Sequence, residues 1–183
     1  AELTDVLWRD AARLMQEEAE WKTRKNRRKG LEDVEPLYSA EDVDQALGRL
    51  APVGYDQLLE VAPNIRVRFR DAGHILGSSI LEFWMIDGAQ DVKVVFSGDL
   101  GPQETVMEKS PACIEDADYV VIESTYGDRL HKTNLESRDE FRDVLRQALK
   151  SRGKVLIPTF VVDRAQRVLY ELMLLRQGGD LPP

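Results

Sequence analysis

Residues 65–96 alternate between apolar and polar side chains, and this rhythm constrains the fold more than any other feature of the sequence. In the run IRVRFR, Ile65, Val67 and Phe69 alternate with three arginines, which is the period of a β-strand with one buried face. The apolar run SILEFWMI follows, then the turn dipeptide at residues 87–88, then the return strand VKVVF. The sequence therefore predicts a sheet region built around a β-hairpin.

Two helices are predicted before this sheet. Residues 3–25 have helical periodicity, with Thr4 as a candidate N-cap, Gly30 as the stop, and one apolar stripe formed by Leu3, Leu7, Ala11 and Leu14. A second helix opens with the capping-box pair Ser39 and Asp42 and closes at Pro52. The side chains that this second helix should bury are Val43, Ala46, Leu47 and Leu50.

After Asp118 the chain alternates between strand and helix patterns. We predict a strand in YVVIES, a helix from about Asn134, a strand in KVLIP and a helix from about Arg164. The two helix starts are marked by the pairs Thr133 with Glu136 and Asp163 with Gln166. This alternation predicts an α/β fold with locally parallel strands and with functional groups just past the carboxyl ends of those strands.

Composition excludes several classes of protein. With 43% hydrophobic and 32% charged residues, the chain has the balance of a globular domain rather than a disordered tail. It has no run of eighteen apolar residues, and its first ten residues lack the order of a secretory signal. The single cysteine, Cys113, excludes an intrachain disulfide framework and a cysteine-based zinc cluster. We therefore expect a cytoplasmic protein with no membrane partner.

A basic segment lies at the end of the first predicted helix. Six of the eight residues from Lys22 to Lys29 are cationic: Lys22, Arg24, Lys25, Arg27, Arg28 and Lys29. Cations suit the negative end of a helix dipole, so a solvated helix end is one interpretation. A patch that binds the phosphates of RNA or DNA is the other. The net charge of −8 argues against a surface that binds nucleic acid all over, but a local patch remains compatible with it.

Polar side chains follow the predicted strands at comparable places. His74 follows VRF, Asp99 follows VVF, Glu123 follows YVVI and Thr159 follows VLIP. Imidazole and carboxylate together suit zinc, manganese or iron, and water bound to such a metal becomes a nucleophile near neutral pH. Taken singly, a histidine or an aspartate beside glycines is more often a hydrogen-bonding or turn residue. Their grouping is what indicates a site.

The order and spacing of four blocks carry a family resemblance. DAGHILGSS, FSGDLG, DYVVIESTYGDRLH and GKVLIPTFVVDRAQRVLYEL resemble the metallo-β-lactamase fold RNA-processing nucleases of the β-CASP group, and RDAARLMQEEAEW and EPLYSAEDVDQAL are similar to the helical stretch before them. The resemblance implies a partial metallo-β-lactamase αββα sandwich over residues 1–118. It implies the beginning of a β-CASP α/β domain over residues 119–183.

The same resemblance implies a two-zinc phosphodiesterase. His74 matches a histidine ligand of one zinc ion, and Asp99 matches the carboxylate that bridges both ions. Glu123 matches the acid that opens the inserted domain and orients a catalytic histidine. Ser124, Thr125 and Thr159 stand in adjacent blocks, where their hydroxyls would meet substrate phosphate.

This sequence departs from the family pattern in three places. The principal metal motif, His-x-His-x-Asp-His, is absent, and so are two histidines expected after the PTF block. The chain contains only two histidines, His74 and His131, and we expect a surface role for the second. Asp163 replaces the glycine that usually precedes Arg-Ala-Gln, and we interpret it as an ordinary N-cap. We therefore expect a middle segment of a nuclease that alone binds zinc weakly or not at all and does not cleave RNA.

Three interpretations remain open. The chain is a segment of a metal-dependent ribonuclease, or a non-catalytic relative that binds RNA or a partner through the basic segment, or a different hydrolase on the same fold. The ESTYGDR and PTFVVDRAQ blocks favour the nuclease over the third. Under-covered apolar strands and unpaired sheet edges also predict self-association.

Overall fold

The computed structural model describes residues 2–88, 90–103 and 109–181 of the chain. It divides into two compact units, Ala1–Gly54 and Tyr55–Pro183. The first unit holds two helices, α1 (Glu2–Arg27) and α2 (Ala40–Leu47). The second holds five strands and two helices: β1 (Leu58–Ala62), β2 (Ile65–Asp71), β3 (Ser79–Asp87), β4 (Gln90–Phe96), β5 (Tyr119–Val121), α3 (Asn134–Lys150) and α4 (Arg164–Gln177).

Helix α1 ends where the sequence predicts but begins earlier. The amides of Gly30 and Leu31 donate to Arg27 O and Asn26 O, and Gly30 has a φ of 68°, so a glycine-based Schellman motif closes the helix. Thr4 lies inside α1, so its prediction as N-cap is wrong. The four residues of the predicted apolar stripe all lie in α1, but Leu7 and Leu14 are 40% and 50% exposed, so the stripe is not fully buried. The buried residues of α1 are Ala12 and Ala19, two small side chains seven positions apart on one face.

Helix α2 has the predicted capping box. The Ser39 hydroxyl accepts from the Asp42 amide, and the Asp42 carboxylate accepts from the Ser39 amide. Val43 is buried, but Leu50 is exposed because the helix ends at Leu47 rather than running to Pro52.

The five strands form one sheet in the order β1-β2-β3-β4-β5. The first four pair antiparallel, and β5 pairs parallel to β4. The predicted hairpin is confirmed: Asp87 on β3 stands opposite Gln90 on β4, and Gly88 adopts a φ of 64° in the turn. Residue 89 lies outside the described residues.

The arginine face of β2 is not a simple solvent face. Val67 is buried as predicted, but Arg66, Arg68 and Arg70 are only partly exposed. They lie on the same face as Glu82 of β3, whose carboxylate binds Nε of Arg68 at 2.6 Å and Nζ of Lys93 at 2.7 Å. Strand β2 therefore packs on both faces, one apolar and one built from ion pairs.

The apolar core beside this ion cluster lies at the carboxyl ends of β2 and β4 and at the start of β3. Ala72, Ile80 and Val95 are buried together, with Leu100 and Ile114 packed against them. This core supports the loops that follow β2 and β4.

Helix α3 begins as predicted, with a capping box between Thr133 and Glu136. The strand predicted in KVLIP is wrong: residues 154–158 form no ladder with any strand in the part of the chain that the structure describes. A strand is defined by its ladder partner, so an apolar, β-branched pattern is insufficient without one. Arg138 of α3 and Glu171 of α4 join the two helices through paired bonds of 2.7 Å.

Asp163 does not cap α4 through its side chain, so that prediction is wrong. Its φ of 67° and ψ of −63°, with the Arg164 amide donating to Val162 O at 2.9 Å, define a γ-turn centred on Asp163. Its carboxylate instead accepts from Nε of Arg167 at 2.8 Å. A γ-turn of this sign is strained for a residue with a side chain.

The fold class is mixed α/β around a five-stranded sheet. In the described part of the chain, no helix combines the length and the apolar composition needed to cross a bilayer.

Candidate active site

Three of the predicted site residues lie at one edge of the sheet. Strands β2, β4 and β5 run in the same direction, because β3 is antiparallel to both of its neighbours and β5 is parallel to β4. Their carboxyl ends therefore meet at one edge. His74, Asp99 and Glu123 follow these three ends within three residues.

The loop carrying His74 is held by hydrogen bonds from its own residues and from Tyr55. The Ser78 hydroxyl accepts from the amides of His74 at 3.1 Å and Ile75 at 3.2 Å. The Tyr55 hydroxyl donates to Ser78 O at 2.8 Å, and the Gly73 amide donates to the Asp71 carboxylate at 2.9 Å. Because the amides of Gly73, His74 and Ile75 are all bonded, this loop holds the half-buried imidazole of His74 in a defined place.

The loop carrying Asp99 packs directly on the His74 loop. The Gly101 amide donates to Ala72 O at 2.8 Å. A Cβ atom at position 101 would collide with the carbonyl oxygen of Gly73, so only glycine fits between the two loops. Gly98 has a φ of 55°, and its Cα faces Ser79 O closely enough that a Cβ would lie 2.8 Å from that oxygen. The two loops form one tightly packed pair.

The side chains of His74 and Asp99 have the chemistry of metal ligands. Asp99 is exposed, and its carboxylate has no hydrogen bond or ion pair within residues 2–88, 90–103 and 109–181. A carboxylate and an imidazole fit part of a zinc donor set. They do not complete one, since the described ranges contain no group of three histidine, cysteine, aspartate or glutamate side chains placed to hold an ion.

The carboxylate of Glu123 is engaged at both oxygens. Oε1 accepts from the Leu100 amide at 2.6 Å, and Oε2 accepts from the Thr125 hydroxyl at 2.7 Å. These two donors, the Leu100 amide first, hold the pKa of Glu123 below its ordinary value, and the nearby His74 acts in the same direction. Glu123 is therefore an ionised, oriented group that links the end of β5 to the Asp99 loop.

Two of the three predicted substrate-binding hydroxyls lie beside Glu123, and the third lies in the segment before α4. Ser124 and Thr125 are exposed beside Glu123, where the Gly127 amide donates to Ser124 O at 3.0 Å and forms a turn. Thr159 is exposed in the extended segment before α4, and no hydrogen bond among the described residues joins it to Glu123. The structure brings the first two together with the site loops.

The other histidine lies elsewhere. His131 is exposed and contacts the ring of Tyr126 edge-on, with the ring centroids 4.5 Å apart. This position agrees with the surface role expected from the sequence.

Four residues that support the site were not predicted from the sequence: Tyr55, Asp71, Ser78 and Ser97. They bond to main-chain groups of the loops rather than standing where a ligand would. Their signal in the sequence is weak, because serine and aspartate beside glycine are typical of any turn.

The basic segment is partly neutralised by its own surroundings. Lys22 pairs with Glu18 at 2.7 Å, and Arg27 binds Asp33 through two nitrogens at 2.6 and 2.9 Å. The ammonium of Lys25 lies 5.0 Å from the centroid of the Trp21 ring. Arg28 and Lys29 form no ion pair within the described residues, so they are the cations most available to an anionic partner.

Comparison with known proteins identifies relatives over most of the chain. No family model matches. The chain is 40% identical over 148 residues to ribonuclease TTHA0252 of Thermus thermophilus, covering 81% of this chain and 33% of the relative. It is 36% identical over 139 residues to transcription termination factor FttA of Lokiarchaeum sp., covering 74% of this chain and 21% of that protein.

A third relative is a factor subunit from Dictyostelium discoideum. Cleavage and polyadenylation specificity factor subunit 3 of Dictyostelium discoideum is 35% identical over 141 residues, which are 75% of this chain and 17% of that subunit. The chain thus spans a third or less of the length of these relatives. They support the family resemblance that the four motif blocks carry.

Proposed function

We propose that this chain is a segment of a metal-dependent phosphodiester hydrolase of the metallo-β-lactamase fold β-CASP group, acting on RNA. The proposal rests on the meeting of the His74, Asp99 and Glu123 loops at one edge of the sheet. There the Gly101 amide donates to Ala72 O, and the Leu100 amide donates to the Glu123 carboxylate. Homology to a named ribonuclease supports the substrate class.

His74 and Asp99 are the proposed zinc ligands of this segment. Zinc bound there would polarise a phosphodiester and lower the pKa of bound water, and the family uses two such ions. His74 supplies an imidazole from a closed loop, and Asp99 supplies a carboxylate not committed to another described residue. Since two ligands are fewer than a catalytic zinc site needs, we propose weak or no zinc binding by residues 1–183 alone.

The remaining site residues have an orienting role, proposed for Glu123, and a substrate-binding role, proposed for three hydroxyl side chains. The carboxylate of Glu123 is the proposed acid of the inserted domain, and its bonds to Leu100 and Thr125 fix its direction. Ser124, Thr125 and Thr159 are the proposed phosphate-binding residues. Residues 1–118 are the proposed metallo-β-lactamase part and residues 119–183 the start of the β-CASP part, in a cytoplasmic protein.

Self-association is the proposed consequence of the exposed edge strand. Tyr119, Val120 and Val121 of β5 are each more than half exposed, and the adjoining Ile122 is exposed as well. An apolar strand with an open edge is a template for pairing with another chain. A concentration-dependent increase in apparent mass by sedimentation supports this proposal, and a constant monomer mass contradicts it.

The proposed function is tested on the product of the complete reading frame that contains these residues. We expect zinc-dependent cleavage of single-stranded RNA, reduced at least about 100-fold by Asp99→Asn or His74→Ala because each removes a metal ligand. Glu115→Gln, which changes an exposed acid outside the site, serves as the matched control and leaves cleavage unchanged. Hydrolysis of carboxylic esters without cleavage of RNA would instead support a different hydrolase on the same fold.

A second candidate function is RNA binding without catalysis, which the availability of Arg28 and Lys29 favours. Fluorescence anisotropy with a labelled RNA oligonucleotide tests it across a series of salt concentrations. Replacing both cations by alanine should reduce the slope of log affinity against log salt by about 1.4, since each phosphate contact in a single strand contributes about 0.7. Lys150→Ala combined with Lys154→Ala is the matched control, and an equal loss in both double variants contradicts a specific role for the basic segment.

A further inference from the structure

Ser97 bonds to the chain around the end of β5 through both its main chain and its side chain. Its backbone amide donates to Val121 O at 2.9 Å, which continues the parallel register of β4 and β5. In a regular parallel ladder, the carbonyl of the same residue would accept the amide two positions further along, that of Glu123. Here the Ser97 hydroxyl accepts that amide at 3.0 Å.

Because the Ser97 hydroxyl, rather than the Ser97 carbonyl, accepts the Glu123 amide, the main chain can turn away from the sheet after β4. The main chain turns at Gly98, which has a φ of 55°, and the Ser97 hydroxyl itself donates to Gly98 O at 2.6 Å. Ser97 is 6% exposed, so water does not readily replace this hydroxyl. The ladder is thus completed by a side chain at the point where the main chain turns toward Asp99.

Glu123 closes the other side of the same turn. Its amide is held by Ser97, and its carboxylate accepts from the amide of Leu100 at 2.6 Å. Ser97 and Leu100 flank Gly98 and Asp99, so one residue at the end of β5 is bonded to both sides of the turn that presents Asp99. We call these three residues, Ser97, Leu100 and Glu123, the clamp.

We propose that Ser97 is a positioning residue, whose hydroxyl completes the clamp and thereby fixes the Asp99 carboxylate relative to the end of β5. The ligand role of Asp99 rests on the proposed function, whereas the clamp itself does not. Threonine retains the hydroxyl and should retain the clamp. Alanine removes it while leaving the Ser97 backbone bond to Val121 in place.

Amide hydrogen exchange followed by NMR tests the clamp directly. In Ser97→Ala, the amides of Glu123 and Leu100 should exchange at least about tenfold faster, because one amide loses its acceptor and the turn opens locally. Ser97→Thr should restore both rates, and the amide of Val67 in β2 should be unaffected. Ser79→Ala is the matched control, because the Ser79 hydroxyl donates to Gly77 O within its own loop. Unchanged exchange at Glu123 and Leu100 in Ser97→Ala overturns the clamp.

Zinc titration calorimetry tests the positioning role. In the product of the complete reading frame, Ser97→Ala should weaken Zn²⁺ binding about tenfold, as loss of support for a ligand does, and Ser97→Thr should restore it. Asp99→Asn should abolish the same binding. Faster exchange with unaltered zinc affinity overturns positioning. If the unsubstituted chain and its complete reading-frame product both bind no zinc, the metal role of Asp99 fails, while the exchange experiment still decides the clamp.

Discussion

Nζ of Lys93 lies 2.7 Å from Oε1 of Glu82, and Glu82 is 1% exposed. The same carboxylate accepts two bonds from Arg68, at 2.6 and 3.1 Å, and both cations lie about 5.1 Å from the ring of Trp84. Three neighbouring strands are therefore joined by one buried acid. The cluster is adjacent to the apolar core that supports the site loops.

Glu82→Gln should destabilise the second unit by about 3 kcal/mol, because it removes the buried counter-charge of Arg68 and leaves Lys93 only the exposed carboxylate of Asp116 at 2.9 Å. The measurement is urea denaturation followed through the amide signals of β2 to β4. Glu60→Gln, which changes an exposed acid on β1, is the control and should shift the free energy of unfolding by no more than about 0.5 kcal/mol. Equal effects of the two substitutions contradict a central role for Glu82.

The same cluster predicts an acid-dependent loss of stability. Burial of Glu82 opposes ionisation, but the bonds from Arg68 and Lys93 outweigh it and hold the pKa of Glu82 below its ordinary value of 4.5. A lowered pKa in the folded state contributes stability above the unfolded pKa, and that stability is lost as the pH falls through the folded pKa. The free energy of unfolding should therefore decrease from about pH 4.5 downward. Glu82→Gln should flatten this decrease, and an identical slope in both proteins would show that other groups cause it.

Gly101→Ala should destabilise the loop pair by at least about 2 kcal/mol, because the added methyl group collides with the carbonyl oxygen of Gly73. The matched control is Gly178→Ala, where φ is −74° and the nearest atom would lie 3.4 Å from the Cβ. This control should change stability by about 0.5 kcal/mol or less. Urea denaturation of the two variants compares them, and a tolerated alanine at 101 contradicts the close packing of the His74 and Asp99 loops.

Asp163→Gly should be more stable than Asp163→Ala by about 1 kcal/mol, because both variants lose the contact with Arg167 but only alanine keeps a Cβ at a φ of 67°. Thermal unfolding of the two variants provides the comparison. If the Asp163→Ala protein is as stable as the Asp163→Gly protein, the γ-turn at Asp163 is not strained.

The sequence was sufficient to predict features that depend on local chemistry or strict period. The capping boxes at Ser39 and Thr133, the Gly30 stop and the β3–β4 hairpin are all confirmed. The grouping of His74, Asp99 and Glu123 at one edge was also predictable, since carboxyl ends of strands that run in one direction meet.

Features that depend on a partner distant in sequence were not predictable in the same way. The alternation in IRVRFR indicates that the arginines face away from the apolar side. It does not show that their face is shared with Glu82 of β3 and Lys93 of β4, which form ion pairs there. KVLIP has the composition of a strand but lacks a ladder partner among the described residues. Aspartate is a residue type favoured at N-caps, yet the backbone of Asp163 forms a γ-turn and its carboxylate accepts a hydrogen bond from Arg167.

The most direct test of the central claim is RNA cleavage by the product of the complete reading frame, with and without the Asp99→Asn substitution. We expect zinc-dependent cleavage that falls at least about 100-fold in Asp99→Asn. The unfolding free energy should stay within about 0.5 kcal/mol of the unsubstituted protein, because this carboxylate is exposed and unpaired among the described residues. Undiminished cleavage by the Asp99→Asn protein would contradict it.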